Sequence, residues 1–176
     1  MIRTLIVVPP VPALLPRYAS LEAPVADLRR SAVGVVRAMT ADTEAVAIVG
    51  DDPFADEVAR ALLDAAGFTG RIDSGLEAGA EVVLALANGS ATRSEKAPGH
   101  LDDRAFDLDD AVDLALRSGD GRRLAALDTS LATDLWTSGL GDLRDLGADL
   151  GPGWTVSVPY ADDPYGVLWW VAAWVR

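Results

Sequence analysis

The sequence predicts an α/β protein in three layers, with a mostly parallel central sheet, flanking helices and an antiparallel hairpin at its C-terminal end. It also predicts one domain spanning residues 1–176. Three observations carry this. Short β-branched apolar runs alternate with segments of helical periodicity. A long helical stretch separates the third strong apolar run from the end of the chain. The closing pair WTVSVPY and GVLWWVAAWV is joined by the turn-forming ADDPYG.

Thr4 to Val8 is a buried first strand, stopped by Pro9 and Pro10, and a proline-rich loop follows. Pro24 suits the first turn of a helix, where its missing N–H is not needed. Val25, Leu28, Ala32, Val35 and Met39 then recur at helical spacing. Ala45 to Val49 is the second strand. Asp52 and Pro53 read as the N-cap and first residue of a helix whose inner face is Phe54, Val58, Ala61, Leu62 and Ala65, with Gly67 as its stop. Arg71 to Asp73 is a short strand and Ala80 to Ala87 a stronger one. From Asp107 to Leu150 the chain reads as helical, with Asp107 and Asp128 or Thr129 as caps and leucines at 140, 143, 146 and 150.

Composition narrows the function. A net charge of −12 with no compensating basic stripe argues against nucleic acid as a partner. The absence of cysteine removes disulfides, thiolate metal sites and cysteine nucleophiles. The opening MIRTLIVVPPVP has too short an apolar run for a signal-peptide core, and Val167 to Val175 is far below the roughly 20 residues of a membrane span. The expectation is a cytoplasmic protein that does not enter a membrane.

The loop from Asn88 to Arg104 holds the densest chemistry. It leaves the end of a predicted parallel strand, where open α/β sheets place their ligand crevices. It contains Asn88, Ser90, Thr92 and Ser94, together with Lys96 and His100, the only lysine and the only histidine of the chain. Two readings stand side by side: a solvated loop whose short polar side chains satisfy its own backbone, or a ligand site. Asp51 and Asp52 at the turn after the second strand and Tyr165 before the last strand join the ligand-binding candidates. Lys96 and His100 are the weak candidates for acid–base catalysis. No G-x-S-x-G elbow, S-x-x-K pair, phosphate-cradling glycine loop or calcium-loop spacing is present. Asp102, Asp103, Asp107, Asp109, Asp110 and Asp113 read mainly as caps and first-turn charges rather than a metal cluster.

The run NGSATRSEKAPGHLDDRAFDLDDAV, the ending PYADDPYGVLWWVAAW and the opening VVPPVPALLP resemble the subunit-B-like class III extradiol ring-cleavage dioxygenases, most closely their small actinobacterial members. The resemblance spans most of the chain, with a shortened stretch around residues 67 to 80. In that family two histidines and a glutamate hold Fe(II), and a further histidine is the acid–base group. The resemblance aligns Pro10 with the first ligand, places the second histidine in the turn that here reads GDDPF, and puts the acid–base histidine in the loop that here reads NGSAT. His100 matches none of these positions. The resemblance therefore implies a dioxygenase-like fold without its iron site, no metal or other cofactor, and no ring-cleaving activity.

Three readings of function follow. The first is a metal-free relative that binds a small molecule in the residual crevice. The second is a metal-independent enzyme using Lys96, His100 and an aspartate. The third is an interaction protein that forms a homo-oligomer through its Trp-rich last strand.

Overall fold

The structure is a computed structural model that describes residues 1–18, 23–76 and 81–176. Six strands form one sheet: β1 (Thr4–Val8), β2 (Ala45–Val49), β3 (Arg71–Ser74), β4 (Val82–Leu86), β5 (Thr155–Asp162) and β6 (Trp169–Val175), in the spatial order β3-β2-β4-β1-β6-β5. β3, β2, β4 and β1 run parallel. β6 pairs antiparallel with both β1 and β5. The predicted α/β class, parallel core and closing hairpin are thus all present.

The helices divide between the two faces. α1 (Ala23–Thr40) and α2 (Ala55–Ala66) cover one side; α3 (Arg104–Ser118), α4 (Gly121–Ala125), α5 (Thr129–Asp134) and α6 (Leu140–Leu150) cover the other. Alternation along each strand sorts the core. Ile6, Val8, Ile48 and Leu84 face α1 and α2, whereas Leu5, Val7, Ala47 and Val83 face α3 to α6. A sheet covered on both faces explains why β1 and β4 are buried at every position, and why all but Thr4 of these ten residues are apolar.

Several boundaries differ from the sequence reading. α1 fully buries Val25, Leu28, Ala32 and Val36, and the predicted Val35 and Met39 pack partly buried against the same core, so the stripe is widened by Val36. α2 begins at Ala55, because the Asp52 carboxylate accepts the Phe54 N–H at 2.8 Å and forms a turn before the helix. Its inner face is consequently Ala55, Val58, Ala59, Leu62 and Leu63, and Phe54 is exposed. Gly67 does stop the helix in the left-handed conformation, at φ 80°.

α3 starts at Arg104 rather than Asp107, since the Asp102 carboxylate receives the Arg104 N–H at 3.0 Å. α4, which lacks a long apolar stripe, was not separable in the sequence. Asp120 caps it, and it packs against α6 where Gly121 and Gly147 approach too closely for a β-carbon on either. Asp128 is the cap of α5, accepting from Ser130 and Leu131 N–H at 3.0 Å each. The predicted strand start at Ala80, and part of the shortened stretch, lie outside the described residues.

β6 is an interior strand. Its edges are taken by β1 and β5, and Trp169, Trp170 and Trp174 are buried, so it offers no free edge to a second copy. This corrects the expectation of dimerisation through that strand. β5 is the edge, and it carries Pro159 at a bulge between Ser157 and Tyr160, a combination suited to a strand with one unpaired side. Among the described residues, no helix is long and apolar enough to cross a membrane.

Candidate functional site

The chain leaving β4 does not pass into solvent. Gly89 N–H donates to Leu168 O at 2.7 Å and Arg93 N–H to Gly166 O at 3.2 Å, which ties the loop to the segment entering β6. On its other side, Ala91 N–H donates to Leu135 O at 3.0 Å and Asn88 N–H to Ser138 O at 3.0 Å. The Asn88 carboxamide oxygen in turn accepts the Ser138 N–H at 2.9 Å. Gly89 is needed here, because a β-carbon would lie 2.7 Å from Asp109 Oδ1 and 2.8 Å from Trp170 Cη2.

Asp109 organises the loop from the side of α3 and is fully buried. It accepts Ser90 N–H at 2.8 Å on one carboxylate oxygen; on the other it accepts the Ser90 hydroxyl at 2.6 Å and Arg93 Nη1 at 3.0 Å. Burial pushes its carboxyl above the usual range, and the hydrogen bonds from Ser90 and Arg93 offset this only in part. Burial works against the Arg93 cation too, but there the bonds to Asp163 and Asp109 win and its pKa is raised. The guanidinium is therefore held as a cation on three sides: Nη1 on Asp109, Nε on Asp163 at 2.6 Å, and the plane 4.8 Å from the Phe106 ring centroid.

This clamped arginine forms one wall of a crevice of about 540 Å³, lined by Arg93, Ser94, Lys96, Asp163, Pro164, Tyr165 and Gly166. That size suits a small ligand. The crevice lies at the carboxyl end of β4, between the loop after it and the β5–β6 turn. Gly166 is at φ 72°, and a β-carbon on it would come within 2.5 Å of Ser94 Oγ. The turn can close on Ser94 only as glycine. Tyr165 leans on Trp169 with ring centroids 5.6 Å apart and keeps half its surface exposed.

The sequence candidates thus separate into three groups. Ser94, Lys96 and Tyr165 converge on the crevice. Asn88 and Ser90 are buried and hold the scaffold behind it, and Thr92 is buried beside them. Asp51 and Asp52 act on the far side of β4. Asp51 accepts Gly139 N–H at 2.8 Å and Asp52 accepts the Ser138 hydroxyl at 3.0 Å, locking the start of α6 to the β2–α2 turn. His100 stands apart: exposed, in a turn at φ 60°, and not among the crevice residues. The first half of the loop is therefore buried rather than solvated.

Three residues of the site, Arg93, Asp109 and Asp163, are not among the binding or catalytic candidates of the sequence, and Asp109, read there as a cap or first-turn charge, is instead a buried anchor. A signal for Asp109 did exist. It lies on the buried stripe Ala105, Leu108, Asp109, Val112, Ala115 and Leu116, and a charge on an apolar helix face demands a buried partner.

The donor set does not fit the iron site of the family that the sequence resembles. Pro10 is buried and has no donor atom, Asp51 and Asp52 are engaged by Ser138, Gly139 and Phe54, and His100 is elsewhere. Among the described residues, no group of three or more His, Asp or Glu side chains is arranged to hold a metal ion. No protein-family model matches the chain, and no curated protein matches it.

Proposed function

We propose that this chain is a small-molecule-binding protein on an extradiol-dioxygenase-like fold of subunit-B type, without iron and without ring-cleaving activity. The observation that supports it best is the crevice beside Arg93. A cation fixed by two carboxylates and an aromatic ring is preorganised, so a ligand docking there meets a rigid partner and little side-chain entropy is lost. The parallel-sheet end on which the crevice sits is where such folds bind ligands. The residues standing at the family's iron positions either lack donor atoms or already accept hydrogen bonds from Phe54, Ser138 and Gly139, which favours binding over oxygen chemistry.

Two measurements test this reading. Protein incubated with Fe(II), a catechol and oxygen should form no ring-opened product, and a yellow product would overturn the claim. A thermal-shift screen of small molecules should yield compounds that raise the melting temperature of the native chain but not of Tyr165→Ala, because a ligand that binds only the folded state stabilises it. If every hit acts equally on both proteins, the crevice is not the binding site.

A further inference from the structure

Resting on the reading of this crevice as a ligand site, we propose that its ligand carries a single carboxylate, received by Arg93, Ser94 and Lys96, with its body against Pro164 and Tyr165. The hydrogen-bonding inventory of the walls leads there. Of the five N–H groups of Arg93, one on Nε and one on Nη1 are occupied, and Nη2 makes no hydrogen bond with a described residue. The Ser94 hydroxyl, the Lys96 ammonium and the Tyr165 hydroxyl likewise have no hydrogen-bond partner among the described residues. The one charged acceptor of the lining, Asp163, already accepts from Arg93. A crevice whose spare donors outnumber its one acceptor, already bonded to Arg93 through Oδ2, selects a ligand that brings acceptors, and a carboxylate brings two oxygens in the geometry that a guanidinium edge matches.

Charge sets the limit to one. Arg93 and Lys96 are balanced by Asp109 and Asp163, so the site attracts through directed hydrogen bonds and not through a net field. The whole chain carries −12, which repels a dianion at long range more than a monoanion. Lys96, exposed and without an ion pair among the described residues, is free to turn onto the ligand.

The probe pair is benzoate against benzamide, its neutral isostere, with inorganic phosphate as a third arm. Each is titrated at constant ionic strength into the ¹⁵N-labelled full chain, and the amide resonances of Ser94, Tyr165 and Gly166 are followed. Benzoate is expected to shift these resonances saturably, with benzamide and phosphate at least tenfold weaker. Lys96→Met, a change at an exposed side chain, is expected to weaken benzoate about tenfold, as the loss of one charge-assisted hydrogen bond does. Benzamide binding as well as benzoate, or phosphate binding better, overturns the carboxylate assignment. So does a benzoate response that bypasses these residues or ignores Lys96→Met. If benzoate fails while neutral compounds raise the melting temperature in a Tyr165-dependent way, only the ligand class is refuted. If no compound does so, the binding reading falls with it.

Discussion

Replacing Asp109 by alanine removes the group on which the loop after β4 hangs. Its carboxylate is fully buried and accepts three hydrogen bonds, at 2.8, 2.6 and 3.0 Å, from Ser90 N–H, the Ser90 hydroxyl and Arg93 Nη1. None of these donors can turn to water without moving the loop, since Gly89 and Ala91 are pinned on opposite sides to Leu168 and Leu135. Breaking a buried ion pair by deleting one partner costs about 3–5 kcal/mol. For a chain of this length, with roughly 2–4 °C per kcal/mol, the melting temperature should fall by about 6–20 °C. Asp109→Asn keeps the shape and an acceptor for the Ser90 N–H but turns an amide toward Arg93, so its loss should be smaller than that of alanine. Thermal and urea unfolding of the three proteins, followed by tryptophan fluorescence, supply the comparison. A drop below about 2 °C for Asp109→Ala would refute the view that this carboxylate holds the loop.

The same group sets a pH dependence. Burial raises the Asp109 carboxyl in the folded state above its ordinary value of 3.8, so the folded protein holds more protons between those two values. Its contribution is fully present below the unfolded value and is lost as pH rises through the folded one. Unfolding free energies from pH 3 to 7 should therefore show the wild type's advantage over Asp109→Asn shrinking as pH rises, and an advantage that grows would contradict the assignment. Gly139→Ala should cost about 1–3 kcal/mol in urea unfolding, because Gly139 sits at φ 71° and its β-carbon would strike the Leu86 carbonyl oxygen. Tyr160→Phe should leave the melting temperature unchanged or raise it. Burial, with Asp162, Asp27 and Tyr165 nearby, pushes that phenol up to about 12, and its buried hydroxyl has no hydrogen-bond partner among the described residues to lose. A clear destabilisation would reveal a partner for it.

How much of the site could be read from the chain depends on the range of the contact involved. Ser94, Lys96 and Tyr165 were legible as polar groups in loops next to strand ends, a local property. The clamp was not, because Arg93 meets Asp109 across 16 residues and Asp163 across 70, and periodicity is silent about such separations. Asp51 and Asp52 were conspicuous for the same local reason as Ser94. Asp52 has a local structural role in the turn to Phe54, but the partners Gly139 and Ser138, which tie both aspartates to the start of α6, lie more than 80 residues away.

By itself the sequence determined the class, because apolar runs of period two and stripes of period 3.6 can be buried in few ways, and strands apolar at every position must lie between two layers. It also determined that no cysteine chemistry and no histidine-rich site is available, which are matters of count. Tertiary structure decided everything that rests on which residues meet. It placed β6 inside the sheet, turned half of a polar loop into buried scaffold, and set a charge inside α3 to hold Arg93 at the crevice. Burial and ion pairing are properties of the folded surroundings, and a residue's own chemistry states only what it would require there.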